Sequence, residues 1–565
     1  MSTAAKRRRL VTAVAASITA LAMLAGCGGS RVASSDTANQ TGSSTGSTSD
    51  TSASTPTGGG APTGTESTSA GTSAGNAAST TTAATGGGAA TTTTTANAPA
   101  GGGSAAAVNA PAAAANVAAG SKGATAGGVV KAAAKKGKGA PAAPASKSGA
   151  AVTTSDSGLS GAAAAIAATV KSQQIFGGNT PCKAATGTPV NIGNVSTLSG
   201  VLGQLFAPVV PSLKTFVAAQ NACGGLNGHP IKLFVEDDQD DPSTAVSKIN
   251  DEIKNDHVLA FVGNIQVLTD DAIVTTIKRA GVPVIGSDIT NNTWYTSPLL
   301  FPQGPGGEAI GYGYTVAAKD YFHKQKVGDV WCLEVPQACA QIDASLKEIG
   351  PKVGVDVVKT TQVSITSPSY TTQCLDFKNA GVEVLAMTFD AASQNRLVKS
   401  CDQVGYKPNY TAYPLGVGNQ VQFFGNPSLG NTYVPLNTFP WMASDTPAEK
   451  YYLASVKKYN PGFITGDAAS LGWTAGALLV AASTNLSANP TTAELLNNLY
   501  TFKGQSFTTL GGLTPAPLSY SATGNPKIPY CLFSAVSNKA NTDWGTSDST
   551  AKCTDIIASN DPQKH

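Results

Sequence analysis

Beyond residue 187 the chain alternates short apolar runs with longer stretches whose apolar residues recur every three or four positions. The runs 190–195, 231–235, 258–262 and 282–285 are rich in Val, Ile, Leu and Phe, and they predict buried strands. Between them, 202–221, 241–253 and 270–280 carry helical spacing. Asp241-Pro242-Ser243 opens the second of these with an N-cap oxygen and a proline in the first turn. After the glycine-rich stretch 304–313 the pattern restarts: helix to 324, strand 327–333, helix 341–350, strand 353–358, helix 369–380, strand 382–389, helix 392–404 and a short strand 410–413. Helices at 447–459, 468–484 and 491–499 follow. Repeated strand-then-helix units predict an α/β fold of parallel sheets covered on both faces. The break near residue 307 predicts two doubly wound lobes, 180–307 with 440–520 and 308–439 with 521–561.

None of this patterning extends to the first 175 residues, which are mostly Ala, Gly, Ser and Thr. The 16 Phe, 15 Tyr and 5 Trp all lie at or after Phe176. A chain without large side chains cannot offset the entropy of ordering its backbone, roughly 1–2 kcal/mol per residue. Residues 28–175 therefore predict a low-complexity tether, apart from a short helix at 161–171. Coil of this kind spans about 5–6 Å times the square root of its length, so roughly 60 Å. The basic patch Lys131–Lys138 either touches anionic lipid or wall polymer or keeps the tether soluble. At the extreme N-terminus, Lys6-Arg7-Arg8-Arg9 precedes an apolar run that ends in Leu24-Ala25-Gly26-Cys27. At about 1.5 Å per residue, the run is too short for a bilayer core of roughly 30 Å. Residues 1–27 resemble a bacterial lipoprotein signal, which implies lipidation of Cys27 and anchorage at the extracytoplasmic face of the membrane.

Charge follows the same division. Residues 1–157 hold eleven Lys/Arg against four Asp/Glu, and the rest hold 26 against 30. The net +3 thus comes from the N-terminal segment, and a nucleic-acid partner is not expected. Cys27 aside, eight cysteines remain in a disulfide-permissive setting, where 105 pairings are open. Local position favours Cys182 with Cys223, Cys332 with Cys339, Cys374 with Cys401 and Cys531 with Cys553. A zinc site is the rival reading, but there is no Cys-x-x-Cys and the four histidines are scattered. No metal or other cofactor is expected.

A family signature emerges at the strand ends. Ser196-Thr197-Leu198-Ser199-Gly200 closes the first strand, and Cys223-Gly224-Gly225-Leu226-Asn227-Gly228 ends the first long helix. Asp237-Asp238 follows the second strand, Val262-Gly263 ends the third, and Gly281-Val282-Pro283-Val284-Ile285 forms the fourth. Over about 187–535 the chain resembles the type I periplasmic binding proteins of the branched-chain amino acid class, the substrate-binding subunits of ABC importers. The resemblance implies two lobes joined by three crossovers and closing on a small ligand, with an ABC permease as partner and no catalysis.

It also implies ligand contacts at strand-end positions: Ser199 and Leu205, Val267 and Thr269, Asp288 and Thr290, with Gln337 and Trp473 near further pocket positions. Leu415 stands where the family places the acid that grips the ligand ammonium. A buried ammonium without a counter-charge is costly by several kcal/mol. Asp390 or Glu334 would have to replace that acid, so the expected ligand is small, polar or amphiphilic and not a standard branched-chain amino acid. Plainer readings stand beside these. Asp237, Asp238, Asp240 and Asp241 suit turns and caps, Asp390 suits an N-cap, Thr290 a loop and Trp473 a helix core. The 304–313 run lacks the Gly-Lys-Ser/Thr ending of a phosphate loop. A membrane sensor without transport shares every feature of the receptor. An extracellular enzyme does not, because no nucleophile motif or Ser/His/Asp order is present.

Overall fold

The computed structural model describes residues 161–200, 202–418, 420–504, 510–548 and 550–564. The signal segment, Cys27, residues 28–160 of the tether and the Lys131–Lys138 patch lie outside the described residues. The short helix expected at 161–171 is present. A helix spans Gly161–Ser172, and Ala167, Val170, Ile175 and Phe176 are buried against the folded part. A stripe of small apolar residues suffices there, because the partner surface is already built.

The first sheet holds β1 (Val190–Gly193), β2 (Ile231–Leu233), β3 (Ala260–Asn264), β4 (Val284–Ser287) and β5 (Leu300–Phe301), in the order β2-β1-β3-β4-β5. All its pairings are parallel. The second holds β6 (Lys326–Cys332), β7 (Asp356–Val363), β8 (Val384–Thr388), β9 (Asn409–Ala412), β10 (Tyr433–Leu436), β11 (Tyr530–Ser537) and β12 (Trp544–Thr546), in the order β12-β11-β10-β9-β8-β6-β7. It is parallel from β7 through β10, whereas β11 runs antiparallel to β10 and also pairs with β13 (Lys552–Thr554). Every residue of β3 and β8 is buried, as expected of parallel strands with helices on both faces. The chain passes between the sheets three times: after β5, after β10 and after the helix Thr492–Leu499.

The helix Asp467–Ala482 is buried along its whole length, between the helix Val209–Asn221 and strands β3 and β4. Small residues permit the approach: a Cβ on Gly472 would lie 2.3 Å from the Val209 carbonyl oxygen. The helix expected over 202–221 is interrupted, with a short turn at Gly203–Phe206 and the main helix at Val209–Asn221. Pro208, lacking an N–H, sits at the junction. All four local cysteine pairings form: Cys182–Cys223, Cys332–Cys339, Cys374–Cys401 and Cys531–Cys553. Among the described residues no helix is long and apolar enough to cross a membrane.

Candidate functional site

Parallel strands end with their loops at one edge, and ligands in such folds sit beyond those carboxyl ends. Here the loops of both sheets converge on one cleft. The first lobe contributes Leu202, Leu205 and Phe206 beyond the β1 region, Val267 beyond β3 and Thr290 beyond β4. The second contributes Cys332, Glu334, Val335, Ala338 and Cys339 around the end of β6, Ile365 beyond β7, Phe389 and Asp390 beyond β8, and Tyr413 beyond β9. The void between them is about 40 Å³, room for a few waters at roughly 10–15 Å³ each. Pockets for drug-sized ligands measure about 300–1,000 Å³, so the void between the lobes is small beside them. Direct bonds join the lobes beside it: Gln341 Nε2 of the second lobe donates to the Thr290 carbonyl oxygen.

The lining is apolar, with no Lys, Arg or His among the described residues that form it. Its two carboxylates are engaged by their own lobe. Glu334 accepts from Ser364 Oγ at 2.5 Å and from the Ile365 N–H at 3.0 Å. Asp390 caps the helix Ala391–Gln403, accepting from the Ser393 N–H at 3.0 Å and from the Ser393 hydroxyl. Arg396 braces the same wall from behind, donating to Ser393 Oγ and to the carbonyl oxygens of Ile365 and Ser367.

Behind Thr290 lies a buried carboxyl pair. Thr290 donates to Asp288 Oδ1 through both its N–H, at 2.9 Å, and its hydroxyl, at 2.7 Å. Trp294 Nε1 donates to Asp270 Oδ2 at 3.1 Å. With both acids ionised, Asp270 Oδ1 and Asp288 Oδ2 would have no hydrogen-bond partner. Burial, and then the neighbouring carboxylate, push Asp270 well above the ordinary range. Burial also raises Asp288, which accepts a hydrogen bond from Asp270. Two buried carboxyls this close favour sharing one proton over ionising together. The Tyr413 hydroxyl approaches Thr290 from the opposite lobe.

The residues expected to contact ligand therefore separate. Leu205, Val267, Thr290 and Asp390 line the cleft. Ser199 is exposed and bonds Asp237 through its Oγ at 2.6 Å. Thr269 is buried and bonds Asp238 Oδ2 at 2.7 Å. Asp288 lies one layer behind the wall, and Gln337 is exposed on the first turn of the helix Pro336–Val353. Leu415 is buried in a turn that packs on the first lobe near Gly203–Phe206, outside the lining. Trp473 is wholly core, edge-on to Phe216 at 5.5 Å and to Tyr452 at 5.1 Å. The acidic run serves turns and caps: Asp237 accepts from the Leu198 and Gln239 N–H groups and Asp241 from the Thr244 N–H. Among the described residues no His/Cys/Asp/Glu group is arranged to hold a metal. Leu202, Phe206, Ile365, Phe389, Tyr413 and the Cys332–Cys339 pair line the cleft without having been singled out as ligand contacts. Their common signal is a bulky apolar residue within a few positions of a strand's carboxyl end.

The Periplasmic binding protein family matches residues 189–528. No curated protein matches the chain. Several solved structures share its fold. The LivJ substrate-binding protein of a branched-chain amino acid transporter from Streptococcus pneumoniae, in complex with isoleucine, is 16% identical, with 65% of this chain and 100% of that one covered and a TM-score of 0.54. A solute-binding protein of an ABC transporter from R. palustris, in complex with benzoate, is 17% identical, covering 66% and 98% at 0.52. A fatty acid ABC transporter substrate-binding protein from Thermomonospora curvata is 17% identical, covering 66% and 95% at 0.53. At such identities the likeness speaks for the fold alone.

Proposed function

Since the chain belongs to the periplasmic binding protein family, we propose that its cleft takes a small, mostly apolar solute with an uncharged polar end and presents it to an ABC permease. The protein is a solute-binding receptor and not an enzyme. The reading extends to its site of action: the outer face of the membrane, held by lipid at Cys27 through the segment that precedes the lobes.

One observation carries the choice of ligand. The lining is apolar, lacks a basic side chain, and spends both of its carboxylates on Ser364, Ile365 and Ser393. A carboxylate ligand would meet no cation there and would face Glu334 and Asp390. An amino acid could set its ammonium beside one of these acids, but its own carboxylate would still be buried without a cation, at several kcal/mol for an imperfectly paired charge. An uncharged solute avoids both penalties. Burying about 200 Å² of its apolar surface contributes about 5 kcal/mol, while the Thr290 hydroxyl, whose proton goes to Asp288, keeps an acceptor lone pair towards the cleft that its polar end shares with Tyr413. Closure follows from the difference in affinity between the parted and the closed lobes. Isoleucine, benzoate and a fatty acid are named with three relatives of this fold, so the architecture leaves the ligand open and the lining decides.

The test is a thermal-shift panel of octanamide, benzamide, octanoate, benzoate and isoleucine. The neutral amides should raise the melting temperature most, since a ligand at 100 times its Kd adds about 2.7 kcal/mol. Stabilisation by the two carboxylates or by isoleucine alone would overturn the assignment.

A further inference from the structure

The Cys332–Cys339 disulfide occupies a place the other three do not. Cys182–Cys223, Cys374–Cys401 and Cys531–Cys553 tie elements together away from the cleft, whereas both sulfur-bearing residues of the fourth line it. Cys332 is the last residue of β6 and Cys339 lies in the first turns of the helix Pro336–Val353, seven positions later. The ring so closed contains Glu334, Val335 and Ala338, so the ring and its sulfurs form five of the second lobe's nine lining residues.

Beside the disulfide, the segment is held by the Glu334 carboxylate and by the burial of Ala338. Its helix begins at Val335 without a side-chain cap, and Leu333 at the tip is 52% exposed. The backbone bonds at its two ends are Leu333 N–H to the Val363 carbonyl and Cys339 N–H to the Val335 carbonyl. Glu334 in turn holds the neighbouring wall loop through Ser364 and Ile365. Two wall loops thus depend on the geometry of one covalent ring, and the sulfurs themselves present a soft, polarisable face to apolar ligand groups.

We propose that the Cys332–Cys339 disulfide is a positioning and contact element of the ligand-binding wall, required for affinity and not for the fold. The proposal rests on the ligand reading above and sharpens it. Preorganised walls bind more tightly because less loop ordering accompanies association.

The experiment compares the full chain with Cys332→Ser/Cys339→Ser and with the control Cys374→Ser/Cys401→Ser. Amide hydrogen exchange is followed in the free proteins, and octanamide affinity is measured by calorimetry. The cleft variant should exchange faster over 333–338 and 364–366, with the sheets unchanged, and should bind octanamide at least tenfold more weakly. The control should melt earlier yet keep its affinity within about twofold. Unchanged exchange over the two loops overturns the proposal, and so does faster exchange with unchanged affinity. A wild-type chain blind to octanamide sinks the ligand reading, and the exchange comparison alone then decides this one. Should the serine pair fail to fold, Cys332→Val/Cys339→Ala makes the same comparison with apolar replacements.

Discussion

Raising the pH from 5 to 8.5 should weaken this fold, and Glu252→Gln should remove one share of an effect to which the buried Glu308 and Asp467 also contribute. Glu252 projects from the helix Pro242–Lys254 into the first lobe, fully buried, with the Asn194 N–H offsetting its charge only in part. Burial, and then the negative charges of Glu236 and Asp256, raise it to about 8 from an ordinary 4.5. Lys248 gives little relief, because it pairs with Glu236 at 2.6 Å. Below pH 4.5 the group is protonated whether the chain is folded or not, and it costs nothing. Between 4.5 and 8 only the unfolded chain ionises, so stability is lost progressively as pH rises towards the folded value. At about 1.4 kcal/mol per pH unit the ceiling is about 5 kcal/mol. Unfolding entropy of about 2 cal/mol/K per residue over roughly 400 residues makes that about 6 °C in melting temperature. Glutamine does not ionise, so the variant's melting temperature should fall less steeply than the wild type's between pH 5 and 8.5. Calorimetric scans at five pH values read the slope directly. Parallel slopes for the two proteins would refute the argument, whatever their absolute stabilities.

Three further outcomes follow from the same geometry. Gly193→Ala places a Cβ 2.0 Å from Glu252 Oε2 and should cost about 1–3 kcal/mol by overpacking; combined with Glu252→Ala the loss should be clearly less than additive in denaturant titrations. Thr290→Val leaves Asp288 short of its hydroxyl donor and should lower stability by about 1–3 kcal/mol while weakening octanamide binding, with Thr290→Ser restoring both. Trp473→Phe should destabilise by about 1–3 kcal/mol through lost core volume against Phe216 and Tyr452, yet leave octanamide affinity within twofold. A larger loss of affinity would put Trp473 back among the ligand contacts.

The helices over 270–280 and 447–459 are legible to the residue, because amphipathic spacing and caps act locally. Asp241 as N-cap and Pro242 in the first turn are equally local, and both are found. The strands β5 and β10 to β13 escape such a reading. Leu300–Phe301 is two residues long, and Tyr433–Leu436 contains Pro435, so neither has a period to detect. Tyr530–Ser537 is selected by β10 beside it, a partner some hundred residues away. The interrupted helix near Pro208 shows the converse, since helical spacing persists across a residue that cannot continue the ladder.

The cleft is harder to read, because its members share no period. They share a position, beyond the ends of seven strand segments spread from Leu202 to Tyr413. Of the contacts expected from the family by loop position, Leu205, Val267 and Thr290 line the cleft. Others lie off it, where the side chain has a nearer partner. Ser199 and Thr269 have hydroxyls suited to a ligand, yet Asp237 and Asp238 take both within 2.7 Å. The same competition determines the charge of the site. Glu334 and Asp390 stand at the cleft, but each already accepts an N–H and an O–H donor of its own lobe. A solute that used either acid would share it with those donors, with lone pairs still open to it. Sequence counts two acids at the cleft. Structure adds the apolar wall that surrounds them, and the proposed ligand rests on that wall.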